Sequence, residues 1–252
     1  MNKPFKFKQF TVEQDRCAMK IGTDGVLLGA WVSVENHPFS ILDIGAGTGI
    51  IALQLAQRSH AEMIDALEID EDAYEQCVNN FENSPWGDRL FCYHASLEEF
   101  TEEVDDKYDL IISNPPFYSP PLPSAFPPKG ENNISDSRKL ARFNDALPFD
   151  ELIESASLLL SDEGVFAVII PRNEEESFIA MALEVNLFPK RICRVRGNEE
   201  SRHGAQTEEK RSMLEFSFLN TSPKIENLII ETSRHNYTEA YINLVQDFYL
   251  KM

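Results

Sequence analysis

The feature that most constrains this chain is a short apolar run, Ser40–Ile44 (SILDI), that breaks into Gly45-Ala46-Gly47-Thr48-Gly49. It resumes at once as Ile50-Ile51-Ala52-Leu53-Gln54-Leu55-Ala56. Such a run is a strand, the glycines permit a tight turn, and the apolar spacing after them marks an amphipathic helix. The pattern then repeats. Residues 62–69 give a second strand, and Asp70 or Glu71 starts a helix that reaches about Asn83, before Ser84-Pro85. Residues 90–93 give a third strand, and Tyr108–Ser113 a fourth that ends in Asn114-Pro115-Pro116-Phe117. Strands alternating with helices predict an α/β fold, a doubly wound and mostly parallel sheet with right-handed crossovers.

Residues 118–146 interrupt the rhythm with prolines and then polar and basic residues, a stretch too long for a plain connection. Such a segment is either disordered or a binding loop; within it, residues 129–142 are expected to be a substrate lid, with a disordered solvent loop as the alternative. A helix over 147–160, a strand over 165–170 and a helix over 174–186 follow. Strands at 188–195 and 213–219 have no helix pattern between them, so they should pair antiparallel as a hairpin at one edge. The tail holds an apolar run at 228–230 and a helix across 238–250.

The glycine turn, Asp43-x-Gly45-x-Gly47-x-Gly49, lies where ligands of open α/β sheets bind, at the carboxyl end of a strand. A dinucleotide fingerprint would need a glycine at Ile50, and a phosphate loop would need a lysine after the glycines; neither is present. Asp43 repels phosphate and suits a cationic or amino-bearing ligand. Glu68, at the end of the second strand, is placed to accept hydrogen bonds from a ribose diol. A nucleoside without phosphates fits these residues, and S-adenosylmethionine, with its sulfonium and amino group, is such a ligand.

The second motif is Asn114-Pro115-Pro116-Phe117. Consecutive prolines exclude a helix and remove backbone donors. The Asn114 amide oxygen and the Pro115 carbonyl can both accept from one planar amino group, and Phe117 offers a flat face for a heterocycle. An exocyclic amine is a poor nucleophile because its lone pair is delocalised into the ring. Two acceptors on its hydrogens favour a pyramidal nitrogen and aim the lone pair at a methyl donor.

The 252 residues are 42% hydrophobic and 26% charged, ordinary globular usage. No apolar run approaches the roughly 18 residues that cross a bilayer. The basic start has no apolar stretch behind it, so it is not a signal peptide. Cys17, Cys77, Cys92 and Cys193 lie far apart without metal-ligand spacing, which predicts free thiols, no metal and a cytoplasmic protein. The net charge of −19 should repel nucleic acid. Yet segments 1–20, 129–142 and 190–211 together hold 16 of the 23 Lys and Arg and only 8 of the 42 Asp and Glu. A basic face on an acidic body is one reading and scattered solvated charge the other. The RNA contacts of the first reading are Lys6, Lys8, Arg138, Lys139, Arg142, Arg194, Arg196 and Arg202.

The glycine turn followed by Asn-Pro-Pro-Phe resembles class I S-adenosylmethionine-dependent methyltransferases that modify amino groups. Phe10-Thr11-Val12, the stretch from Cys17 to Trp31, Asn79-Asn80, Ser84-Pro85-Trp86, Tyr237-Thr238 and Asp247-Phe248-Tyr249-Leu250 narrow the likeness. Over essentially the whole chain they are similar to bacterial tRNA1(Val) adenine-N6 methyltransferases. The resemblance implies a Rossmann-like fold and methylation of the adenine at position 37, next to the anticodon, with a tRNA anticodon loop as partner. It places the methyl donor on Asp43, Gly45, Gly47, Gly49, Glu68 and Ser96, with Thr23 and Asp24 nearby, and the target amine on Asn114, Pro115 and Phe117. Phe117 stands where many such enzymes have Tyr, and Ser96 where an acidic residue is usual. The chain is then a single methyltransferase domain, 1–252. Residues 1–35 are an extension contributing to the cofactor site, and 224–252 a tail packing on the domain. Within the class, an rRNA guanine-N2 or a release-factor glutamine methyltransferase remains an alternative. Outside it, a non-catalytic nucleoside- or RNA-binding module does.

Overall fold

The computed structural model describes residues 3–116, 147–199 and 207–252. Its strands are β1 (Phe5–Lys6), β2 (Thr11–Val12), β3 (Ser40–Ile44), β4 (Met63–Glu68), β5 (Leu90–His94), β6 (Tyr108–Ser113), β7 (Leu160–Pro171), β8 (Phe188–Asn198), β9 (Arg211–Ser217), β10 (Lys224–Ser233) and β11 (Asn236–Tyr237). Its α-helices are α1 (Thr23–Trp31), α2 (Ile50–Arg58), α3 (Glu71–Glu82), α4 (Leu97–Glu103), α5 (Phe149–Leu159), α6 (Glu175–Glu184) and α7 (Glu239–Val245).

The main sheet runs β11-β10-β8-β9-β7-β6-β3-β4-β5. β3 is buried along its whole length, as a strand covered on both faces must be. It pairs parallel with β4 on one side (Ile41 opposite Ile64) and with β6 on the other (Ile41 opposite Leu110). The chain leaves β3 outward to β4 and β5, then returns to β6 on β3's free side. The carboxyl ends of β3 and β6 therefore flank the point where strand order reverses, the place such sheets bind ligands.

Two apolar layers cover the sheet. One contains Leu27, Leu28, Leu53 and Phe81 from α1, α2 and α3, together with Phe7, Phe10 and Phe248 from the two ends of the chain. The other contains Phe100, Leu152, Ile153 and Phe178 from α4, α5 and α6. Helix starts are set locally. The Asp70 side chain accepts the Ala73 N–H at 2.8 Å, and Ser96 with Glu99 forms a capping box at α4.

The segments at 188–195 and 213–219 do pair antiparallel, as β8 and β9, with Ile192 opposite Leu214. They are not at the edge. β9 lies between β7 and β8, and β10 pairs parallel with β8, Leu228 opposite Val195. The apolar run at 228–230 is the middle of that strand, which satisfies the outer backbone groups of β8 and moves the edge to the more polar β10 and β11. The N-terminal segment is tied to the tail, with the Lys8 N–H donating to the Phe248 carbonyl at 2.8 Å.

Candidate active site

The glycine turn adopts left-handed backbone at Gly45 (φ +72°), Gly47 (φ +55°) and Gly49 (φ +75°). Gly49 carries a second constraint: a β-carbon there would stand 2.5 Å from the Phe81 ring and 2.8 Å from the Cys77 sulfur. At Gly45 and Gly47 a β-carbon would meet nothing within 4 Å, so those two line open space. The turn is latched to β4. The Gly45 and Ala46 N–H groups donate to the Leu67 carbonyl at 3.0 and 2.9 Å, and the Gly47 N–H donates to Glu68 Oε2 at 2.7 Å. Glu68 Oε1 accepts the Asp70 N–H at 3.0 Å. Each carboxylate oxygen keeps a lone pair for a further donor.

Asp43 is fully buried. Its Oδ2 accepts the Ala52 N–H at 3.1 Å, supplying the α2 amino end with the acceptor that Gly49 lacks. Its Oδ1 has no hydrogen-bond partner among the described residues. Burial pushes the Asp43 carboxyl up to about 7, with the Glu68 charge adding to the rise and the Ala52 bond opposing it. A buried acceptor in want of a donor, two acidic groups and an open glycine cradle fit a cationic, amino-bearing nucleoside.

Residues before α1 border this side. The Asn80 amide ties the turn to the N-terminal segment, donating to the Thr48 and Glu13 carbonyls and accepting the Glu13 N–H. Burial and the charges of Glu68 and Asp70 push the Cys17 thiol up to about 12. Ser96 is turned to α4: its hydroxyl donates to Glu99 Oε2 at 2.9 Å and accepts the Glu99 N–H at 3.2 Å. One lone pair is left for any adenine contact. Ile69 was missed in sequence. It follows Glu68 directly and is 61% exposed, an apolar surface beside that carboxylate. An apolar residue at a strand end, between Glu68 and Asp70, was the available signal.

On the target side, the Ser113 hydroxyl donates to the Ile44 carbonyl at 2.8 Å and fastens the end of β6 to the end of β3. Asn114 is half-buried and Pro115 buried. A β-carbon on Gly25 would lie 3.8 Å from Asn114 Nδ2 and 3.5 Å from the Ile50 side chain. Gly25, in the first turn of α1, is thus close to both Asn114 and the start of α2, and Thr23 and Asp24 precede it in the same turn. Asp24 also holds Arg211 of β9 at 2.8 Å. Phe117 lies outside the described residues.

The methyltransferase small domain model matches residues 25–121. The chain is 59% identical over 249 residues to the tRNA1(Val) (adenine(37)-N6)-methyltransferase of Flavobacterium johnsoniae, covering 98% of this chain and 100% of that protein. It is 57% identical to the one from Flavobacterium psychrophilum, covering 98% and 100%. The chain belongs to the tRNA1(Val) (adenine(37)-N6)-methyltransferase family. Its fold also matches a predicted O-methyltransferase from Agrobacterium tumefaciens, with a TM-score of 0.63 at 18% identity over 89% of this chain and 96% of that one. That likeness shows the class I methyltransferase fold.

For a member of the tRNA1(Val) (adenine(37)-N6)-methyltransferase family, the basic residues are less available than their number suggests. Arg194 forks onto Glu175, Nη2 to Oε1 at 2.7 Å, and the Glu175 side chain is 3% exposed. Burial works against ionisation of Glu175, but bonds from Arg194 and Ser212 and the Arg172 charge hold its carboxyl below the usual range. Arg196 pairs with Glu209 at 2.9 Å. Lys8 donates to the Gln246 and Met252 carbonyls. These three expected RNA contacts thus have partners inside the fold, carboxylates for the two arginines and main-chain oxygens of the tail for Lys8. Lys6 is exposed. Arg138, Lys139, Arg142 and Arg202 lie outside the described residues, as does the expected lid over 129–142. Among the described residues, no helix is long and apolar enough to cross a membrane.

Proposed function

We propose that the chain methylates N6 of the adenine at position 37 of tRNA1(Val), using S-adenosylmethionine, as a single cytoplasmic methyltransferase domain spanning 1–252. The observation that carries this is the placement of Asn114-Pro115 at the switch point, beside the glycine turn, in a chain 59% identical end to end to a relative of that name.

Asp43, Gly45, Gly47 and Glu68 would hold the methyl donor, with Ser96, Thr23 and Asp24 around it and Ile69 as an apolar wall for its adenine. When bound, the donor supplies an electrophilic methyl carbon on a sulfonium. The chain's own residues prepare the amine. The Asn114 side-chain oxygen and the Pro115 carbonyl accept its two hydrogens, which draws the lone pair out of conjugation and fixes its direction. Phe117 stacks the ring. No strong base is required, since the methylated ammonium loses its proton readily. The target base must be out of any stack, so a loop suits the site better than a duplex.

The test is transfer of labelled methyl from S-adenosylmethionine to total tRNA, total rRNA and protein extract in parallel, with nucleoside analysis. N6-methyladenosine in tRNA is expected. N2-methylguanosine in rRNA, or labelled protein, would replace this reading by one of the alternatives.

A further inference from the structure

Thr23, two residues before the Gly25 that approaches Asn114, lines a separate cleft of about 640 Å³, between the N-terminal strands, the β10–β11 edge and the tail. The cleft is aromatic. Phe5, Tyr237, Tyr241 and Tyr249 line it, together with the exposed Lys6 and Lys251.

Tyr237 belongs to the outermost strand. Its ring packs on that of Tyr241 with centroids 5.2 Å apart, yet the residue is 38% exposed. Tyr241 is itself buried, and Phe5 meets Tyr249 edge-on at 6.0 Å. The Tyr237 ring is therefore supported from below and open elsewhere. A supported ring loses little conformational freedom when something stacks on it. Two lysines against the one carboxylate side chain of Glu231 also set this cleft apart from a chain of net charge −19. Flat rings to stack and an anion to meet the lysines describe an unpaired nucleotide.

We infer that the cleft receives an unpaired nucleotide of the same RNA whose adenine sits at Asn114, with its base on Tyr237 and its phosphate at Lys6. This rests on the tRNA reading above. The cleft, bordered by Thr23 at the start of α1, then holds the loop without touching the amine.

The experiment measures binding of a tRNA1(Val) transcript at several salt concentrations for wild type, Tyr237→Ala, Tyr237→Phe and Lys6→Ala, with calorimetric cofactor binding as a control. Tyr237→Ala should lose about tenfold in RNA affinity at every salt, with an unchanged salt slope, while Tyr237→Phe binds as wild type. Lys6→Ala should flatten the slope by about one. Cofactor affinity should not move. A single abasic nucleotide near position 37 should weaken wild-type binding by a similar factor and leave Tyr237→Ala unaffected. That comparison stands on wild type alone if the alanine variant is unstable. If wild type methylates the transcript and neither Tyr237→Ala nor any abasic site changes affinity, the cleft is not an RNA site. If wild type neither binds nor methylates the transcript, the tRNA reading itself falls.

Discussion

Glu68 Oε2 accepts the Gly47 N–H at 2.7 Å, so the carboxylate expected to meet a ribose also latches the glycine turn to the neighbouring strand. Cofactor affinity and loop order are thereby coupled through one side chain. Glu68→Ala should raise the cofactor Kd by about tenfold or more and lower stability by about 1.5–3 kcal/mol, the range for a hydrogen bond to a charged group. Calorimetry and thermal melts measure both. A variant that loses affinity at unchanged Tm would show that Glu68 serves the ligand alone.

Gly49 and Gly45 separate strain from crowding. Both have positive φ, but only Gly49 is walled in by Phe81 and Cys77. Gly45→Ala should cost about 1–2 kcal/mol, from backbone conformation. Gly49→Ala should cost about 3 kcal/mol or more, because overpacking adds to the strain. Equal losses in urea melts would contradict the close approach of α2 to α3.

Asp43 sets a pH dependence whose sign is fixed. Its folded pKa, about 7, lies above the ordinary 3.8, so burying the ionised form destabilises the fold. The penalty is absent below pH 3.8, grows as pH rises, and is complete above about 7. A cationic ligand stabilises the carboxylate, so cofactor binding should tighten as pH rises through 7. Asp43→Asn should flatten both profiles, in melts and in calorimetry from pH 5.5 to 8.5. An affinity that weakens toward high pH in wild type would remove Asp43 from the cation site.

Arg194 is predicted to act in stability. Arg194→Ala leaves the Glu175 carboxylate, 3% exposed, without its fork. A loss of about 3 kcal/mol is expected, with the salt slope of RNA binding unchanged. A flatter slope with an unaltered Tm would return Arg194 to the RNA surface.

What could be read in sequence was what is local. β3, the glycine turn and α2 form a contiguous pattern, and Asn114-Pro115 ends a strand that its own residues declare. The place of the β8–β9 pair could not be read, because β10 joins β8 in a parallel pairing that no local pattern encodes. α1 was hidden for another reason. Residues Gly25 to Trp31 are all buried, so the helix has no polar face and no period to detect. Yet α1 is what brings Gly25 to Asn114. The arginines show the same limit: a sequence displays the charge of Arg194 and not the Glu175 that neutralises it.

The most direct test of the account is methyl transfer to two tRNA1(Val) transcripts, one with adenine and one with guanine at position 37, by wild type and Asn114→Ala. Wild type should place N6-methyladenosine at position 37 of the first transcript and leave the second unlabelled. Asn114→Ala should bind the cofactor normally and turn over at least about a hundredfold more slowly, in the range for removing one acceptor tuned to the transition state. Equal labelling of both transcripts, or an Asn114→Ala variant as fast as wild type, would contradict the account.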